Sequence, residues 1–569
     1  MENIIETRTC LCWNKFDITD KDAELLKKLS PTIAWVKYEI PFPTLCPTCR
    51  NQRRFTYRNE RNLYKRVCDA TGKPIISIYS PDKPYKVYEQ TEWWSDKWDP
   101  KAYWKEFDFT KSFFEQFQEL RLQVPRWSLL NWFNENSDYA NHAAKQKNCY
   151  MSFDAWFNES CLYTNDIFYS NFVVDSSWIK NSEYIYSSTD VKRSFKCLYC
   201  NRIDNCSESM LLIDCDWCVN CIGCTNQKNQ KFMILNESVT PEEFESAMQK
   251  MKNDMVFRED MFEKFRKLYL ETPRKALNNK NIENSSWDYL VDTKDSKNVF
   301  HMTWCENMRH CSFAYDAKDC MDYDVWWDKT SLVYETHCTW WIEEWVWCSN
   351  ILFSNVIWGG SFVTYSDNCS NCHNLFGCVW LHGNESYCIL NKQYSKEEYE
   401  AMIPKIIEHM KKTKEWWEFF PASMSTYWYN ETVASEYYPL TKSEVLSKWF
   451  KWSDFEWSTP AVSKIIPWSK LPFDIKEIPD DVVNWAIECE NSGKPFRIIK
   501  QELDFYRKLS LPLPRMHPDE RHKRRIAQRI SRKLYDRKCD NCGIDIKTTY
   551  SPQSQEIIFC DKCYNEKFN

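Results

Sequence analysis

Glycine is the scarcest common residue in this chain. There are 8 in 569 residues, where a usual share would give about 40. The scarcity shows in the motifs. G-x4-G-K-[ST], G-x-G-x-x-G and G-x-S-x-G are all missing, as is H-E-x-x-H, which excludes the familiar phosphate cradles, dinucleotide turns, nucleophile elbows and zincin helices. A long apolar run is also lacking. The opening MENIIETRTC has no apolar core, and the most apolar stretch, residues 339 to 365, is broken by Glu343, Glu344, Asn350, Asn355 and a glycine pair. Neither a signal peptide nor a membrane span is expected, so the expected location is the cytoplasm. With only 9 histidines, the nearest Cys-His candidates are His310-Cys311 and His337-Cys338. Adjacent residues rarely form such a pair, so an enzyme is not the favoured reading.

Cysteine is abundant instead, at 28. Without an export signal these read as reduced thiols and metal ligands rather than a disulfide framework. At the C-terminus Cys539-x2-Cys542-Gly543 and Cys560-x2-Cys563 frame a 17-residue segment patterned as a hairpin (Ile546, Thr548, Tyr550, a Ser-Pro turn, Ile557, Phe559). Four thiolates fill a tetrahedral zinc shell, giving a structural site. At the N-terminus Cys10-x-Cys12 and Cys46-x2-Cys49 form a second candidate set, separated by a capped helix beginning at Thr19-Asp20. About two structural zinc ions are expected.

The two ends are copies. Residues 41 to 81 return at 512 to 552, ungapped, with 18 of 41 positions identical. In the N-terminal copy of the C-terminal site only Cys68 remains, with Thr71, Glu89 and Glu92 in the other ligand slots. In the C-terminal copy of the first site Cys46 and Cys49 have become His517 and Glu520. What the copies share most is arginine: Arg50, Arg53, Arg54, Arg58 and Arg61 repeat as Arg521, Arg524, Arg525, Arg529 and Arg532, at offsets that fit one helix face. Residues 50–66 and 521–538 together carry +14 against −20 for the rest, within a net charge of −6. Such combs suit phosphate backbones, above all RNA or a ribonucleoprotein; equally, they suit docking onto the acidic middle of the same molecule, or a solvated face.

The middle holds a second duplication. Ile234-Leu235-Asn236, Thr240, Glu243 and Phe244 match Ile389-Leu390-Asn391, Ser395, Glu398 and Tyr399. Cys197, Cys206, Cys215 and Cys224 recur every nine residues, as do Cys311, Cys320 and, after a gap, Cys338. A short fixed period with Asn or Asp at turns reads as stacked β-coils, two nines per turn, with Cys as a small buried residue. The run Cys215-x2-Cys218-x2-Cys221-x2-Cys224 approaches ferredoxin spacing but lacks the closing x3-Cys-Pro, leaving iron–sulfur and zinc as alternatives. Helices are expected at 109–123, 240–270, 395–412 and 479–509, the last interrupted near Gly493; 416–472 shows no clear period.

Tryptophan, at 29, stands where glycine belongs. Heads of the form Gly-x-x-(Phe/Ile) occur at Gly72, Gly493 and Gly543, and a fourth has Trp13 in the glycine slot, where a knuckle needs positive φ. UGA codons read as glycine in the source but translated as tryptophan would explain this; a Trp-rich chain that stacks on sugars or bases is the alternative. The strings CPTCRNQRR, RNERNLYKRVCDATGK, YSPDKPYKVY, WWSDKWDP, ENSDYAN, YCILNKQYSKEEYE, YNETVASEYYPLT and GKPFRIIKQELDFYRKLSLPLPRMHP resemble, over nearly the whole chain, a family of cysteine-rich zinc-ribbon proteins of candidate-phyla bacteria. The resemblance implies glycine at Trp13, Trp104, Trp380, Trp417, Trp428 and Trp449, in lineages some of which use that code. It implies no established activity; some members carry a CoA-transferase label, for which this chain holds no supporting motif.

The expected architecture is a mixed α+β multidomain chain in which terminal zinc-ribbon or treble-clef-like modules flank two β-solenoid-like cysteine-rich segments with capped helices. The segments are 1–95 (zinc module and degenerate ribbon), 96–139 (helical linker), 140–237 and 290–392 (the two cysteine-rich copies), 238–289 (helical insert), 393–475 (helix and aromatic stretch), 476–535 (basic helical) and 536–569 (C-terminal ribbon). The expected function is a zinc-binding scaffold that binds RNA or a ribonucleoprotein through its basic ends. A protein-interaction scaffold without nucleic acid, and a Cys-based or iron–sulfur redox enzyme, are the alternatives.

Overall fold

The computed structural model describes residues 2–33, 36–324, 331–336, 339–340, 348–349, 351–455, 462 and 464–568. Helix and strand are mixed, and the chain divides into two compact units, each built from two separated stretches. One is Met1–Ser128 with Leu277–Phe455, the other Leu129–Ala276 with Glu456–Asn569. Each unit therefore combines one end of the chain with one cysteine-rich middle.

In the second unit the middle is a ladder of parallel strands in a constant register of twelve. Ser177 pairs with Thr189, Thr189 with Asn201 and Asn201 with Ile213, while Glu183 pairs with Phe195 and Phe195 with Ser207. The backbone advances in triplets: every third residue from His142 to Leu235, Gly223 included, has positive φ. That conformation costs an ordinary L-residue about 1–2 kcal/mol. Here it is held by the ladder, since the left-handed Asn181 donates its N–H to Phe168 O at 3.0 Å and Ser187 donates to Val174 O at 3.1 Å. Asn and Asp, which tolerate the left-handed region best, recur at these positions.

The residue two before each left-handed position points inward. Ala155, Cys161, Ile167, Val173, Ile179, Ile185, Val191 and Cys197 belong to one buried stack. Polar residues in the same slot stitch the layers together. Ser182 N–H donates to Ser170 Oγ at 3.2 Å, Ser194 N–H to Ser182 Oγ at 3.1 Å, and Cys206 N–H to Ser194 Oγ at 3.1 Å. Cysteine takes the same part, for Cys218 N–H donates to Cys206 Sγ at 3.4 Å. The register of twelve replaces the eighteen-residue turn expected from the sequence. Nine is three triplets, so cysteines nine apart are all interior but lie on different sides of successive layers.

Outside the stack, Leu162, Val174, Tyr186, Leu198, Met210 and Ile222 form a stripe at intervals of twelve that packs against Met248, Met251, Phe265, Leu503 and Tyr506. The helices carrying those residues are Pro241–Asn253, started by a Thr240/Glu243 capping box, Met255–Glu271 and Lys500–Leu509. The single helix expected over 240–270 is two, because Asp254 ends one and caps the next. Residues 479–499 are not the expected helix. They hold a short 3-10 turn, Asp480–Asn484, and a hairpin of Ala486–Glu488 with Pro495–Phe496.

The first unit repeats the scheme. Phe300 pairs with Ser312, Glu306 with Lys318 and Asn355 with Asp367, again twelve apart, and Met302, Cys305, Met308, Cys311, Ala314 and Cys320 line one interior stretch. Gly360 takes an interior slot where a Cβ would lie 2.4 Å from Cys372 O. The helices expected at 109–123 and 395–412 form as Phe113–Gln123, four residues shorter at its start, and Lys396–Lys412, the second with a Ser395/Glu398 capping box. His337 and Cys338 lie outside the described residues.

Candidate metal centres and the arginine combs

Each end of the chain brings four cysteines together by the same device, a hairpin turn facing a helix N-terminus. Cys10 and Cys12 sit in the turn between strands Ile4–Thr9 and Lys15–Thr19. Cys46 caps helix Pro47–Phe55, and Cys49 lies in its first turn. At the other end, Cys539 and Cys542 sit in the turn between Tyr535–Lys538 and Asp545–Thr548, and Cys560 and Cys563 lie at the start of helix Asp561–Phe568. Within each set all four sulfurs lie within 4.8 Å of one another. The Cys12–Cys46 and Cys542–Cys560 sulfurs are 3.7 and 3.8 Å apart. A tetrahedral ion with zinc–sulfur bonds of about 2.3 Å requires sulfur–sulfur edges of about 3.8 Å, so both sets fit.

Helix N-termini favour thiolate. The Cys49 thiol donates to Cys46 and, against burial, brings the Cys46 thiol down to about 5. Burial would raise Cys539, but backbone N–H groups of Cys542 and Cys560 overcome it and hold that thiol at about 6. Four thiolates leave no coordination position for substrate, so the sites can staple and cannot catalyse. The hairpin expected between the two C-terminal pairs is displaced. Asp545–Thr548 pairs backwards with Tyr535–Lys538 across the first knuckle, while Ile558–Phe559 pairs in parallel with Arg274–Lys275.

The two altered copies keep the knuckle without the ligands. Gly72 N–H donates to Cys68 O at 2.9 Å and Gly493 N–H to Cys489 O at 3.0 Å, as Gly543 N–H does to Cys539 O at 2.9 Å. The contact between knuckle sulfur and facing helix is also kept: Glu89 N–H donates to Cys68 Sγ and His517 N–H to Cys489 Sγ, both at 3.2 Å, as Cys560 N–H does to Cys539 Sγ at 3.2 Å. His517 caps its helix, accepting from Asp519 N–H at 3.1 Å. Trp13 adopts φ 67°, beside 72°, 65° and 75° for Gly72, Gly493 and Gly543. Trp380, Trp417 and Trp449 also have positive φ, whereas Trp104 and Trp428 do not.

Among the described residues, the two terminal sets are the only groups of three or more His, Cys, Asp or Glu placed to share a metal ion. Cys215, Cys218, Cys221 and Cys224 are four successive interior residues of one twelve-residue layer. Their thiols donate to the carbonyls two residues back, at 3.4 to 3.5 Å. The iron–sulfur and zinc alternatives for this run therefore find no convergent ligand set. The x2 spacing is the triplet itself.

The arginine combs do not form continuous helical faces. Their helices end at Phe55 and Ala527, so Arg58, Arg61, Arg529 and Arg532 lie beyond them. Arg50, Arg54, Arg58, Arg521 and Arg525 are buried. Arg50 Nε donates to Asp322 at 2.7 Å, and Arg54 Nε donates to Asp324 at 2.6 Å while its Nη1 lies 3.4 Å from Asp322. Arg58 pairs with Glu60. In the second unit Arg521 and Arg525 share Asp175, the latter at 3.0 Å, and Arg521 also reaches Glu502 at 3.2 Å. These five serve internal carboxylates and are not surface phosphate contacts. Arg53, Arg61, Arg529 and Arg532 are half-buried, with Arg529 lying 4.5 Å over the Trp178 ring, and Arg524 is exposed.

No family model matches the chain, and no curated protein matches it. A crystal structure described as a "putative acetyltransferase" from Desulfovibrio desulfuricans aligns over 48% of this chain and 69% of its own, at 9% identity and a TM-score of 0.11. A likeness of that size carries no argument about fold or activity.

Proposed function

We propose that this chain is a non-catalytic scaffold, stapled by one zinc ion at each end, that binds RNA through the arginines its modules leave accessible. The observation that carries the scaffold reading is the pair of closed four-cysteine sets, each spaced for a tetrahedral ion and each without an open position. The twelve-residue ladders supply rigid β-solenoid bodies for the modules. Exposed Arg524 supports the RNA partner, because the guanidinium fork matches phosphate oxygens. The test is fluorescence anisotropy of the zinc-loaded protein with a labelled RNA over a salt series. Affinity should fall with salt at a slope of about 0.7 per phosphate contacted. An affinity that does not change with salt sinks the RNA partner.

A second reading, a scaffold for protein partners alone, draws on the internal ion pairs. At least six of the ten comb arginines are spent on carboxylates of the same unit. It expects no RNA binding at any salt concentration.

A further inference from the structure

We propose that a single-stranded RNA segment of a few nucleotides occupies a cavity of about 1350 Å³ within the second unit. This rests on the RNA reading above and gives it a place. The cavity lies between the ladder, helix Met255–Glu271, the Pro512–Met516 segment, helix Pro518–Ala527 and the loop Thr549–Glu556. Its size exceeds the roughly 300–1,000 Å³ of ordinary small-molecule clefts, which favours several nucleotides over one.

The lining is selective. It carries eight arginines against five carboxylates, with no lysine and no histidine. Arginine without lysine suits planar, forked recognition of phosphate and stacking on rings. Arg521 is 6% exposed and lines this wall. Its Nη1 is engaged by Asp175 and Glu502, which anchors this wall. Arg258 Nη2 bonds the Tyr199 hydroxyl, and the guanidinium lies 4.8 Å over the Tyr199 ring and 5.8 Å over Phe473. Arg266 and Arg524 are exposed and Arg258 and Arg515 half-buried on this lining, and phosphate oxygens are the acceptors that such guanidiniums share. Tyr550 and Phe473 on the same lining offer ring faces on which bases stack whatever their sequence.

The C-terminal zinc set builds one wall. Loop Thr549–Glu556 lies between Cys542 and Cys560, and Arg537 Nη1 also holds it, donating to Ser551 O at 3.2 Å and Ser554 Oγ at 3.0 Å. Removing the ion should loosen this wall and weaken binding without touching Arg258 or Arg524.

The experiment measures anisotropy of fluorescein-labelled octauridylate with the full-length zinc-loaded chain and with Arg258→Ala, Arg524→Ala and Lys412→Ala. Zinc content and melting are checked for each. Arg258→Ala and Arg524→Ala should each weaken binding about tenfold, while Lys412→Ala, at an exposed position in the first unit outside the combs, changes it less than twofold. Uridine monophosphate and octaglutamate should compete at least 100-fold more weakly than unlabelled octauridylate. Unchanged affinity in both cavity variants would overturn the cavity while leaving the RNA reading intact, and no RNA binding by the parent chain would overturn both. Competition by uridine monophosphate equal to that of the octamer would make the occupant a free nucleotide. Stronger competition by octaglutamate would make it an acidic peptide. Either result overturns the proposal.

Discussion

Asp322→Asn tests the internal role of the arginine combs. Asp322 is fully buried in the first unit, with Arg50 Nε at 2.7 Å and Arg54 Nη1 at 3.4 Å, and the three side chains are 0–2% exposed. Asparagine keeps the shape and removes the charge, leaving two buried guanidiniums with Asp324 as the remaining carboxylate, 2.6 Å from Arg54. Breaking a buried pair by removing one partner costs about 3–5 kcal/mol. Because Asp324 still serves Arg54, the expected loss is at the lower end, about 3 kcal/mol, or roughly 5 °C in the melting of a unit of this size. Differential scanning calorimetry should show that shift in the first unit's transition and none in the second's. Burial raises the Asp322 carboxyl's pKa, but Arg50 and Arg54 overcome it and hold it below the usual carboxylate range. The ionised group therefore contributes its full stability above the unfolded value of about 3.9, and that contribution is lost as pH falls through the lower folded value. The gap between parent and variant should be widest near neutral pH and close in acid. A shift below about 1 kcal/mol at neutral pH would refute the docking of the comb.

Two further outcomes follow from the backbone and the thiols. Trp13→Gly should stabilise the N-terminal zinc module by about 1 kcal/mol, because Trp13 holds φ 67° and is 86% exposed, so backbone strain is relieved with little packing lost; slower zinc loss to a chelator would show it, and faster loss would count against the strain. Cys215, Cys218, Cys221 and Cys224 are 0% exposed, so they should resist alkylation in the native chain even after chelation has made the eight terminal ligands reactive; mass spectrometry of labelled peptides checks this, and labelling of the four at the ligands' rate would contradict the interior assignment.

Much of the metal chemistry was legible in the sequence because it is local. A Cys-x2-Cys pair sets its own turn or helix start, and the capping boxes at Thr19, Thr240 and Ser395 mark where helices begin. The triplet was harder to read. Its interior slot accepts Ser, Ala, Cys, Thr and Asn as readily as Ile or Val, which flattens the hydrophobic period, and the cysteines chosen as markers sampled only every third slot. What pairs with what was not legible at all. Asp322 lies 272 residues from Arg50 and Asp175 lies 346 from Arg521, and nothing near either comb marks its partner. The same holds for Ile558–Phe559, whose strand partner is Arg274–Lys275.

Elemental analysis of the purified chain tests the central claim most directly. The account predicts two zinc ions per chain and no visible chromophore, with Cys12→Ser and Cys542→Ser each removing one ion and leaving the other, since the two sets use separate ligands. Iron with a brown absorbance, or no tightly held metal in a folded chain, would contradict it.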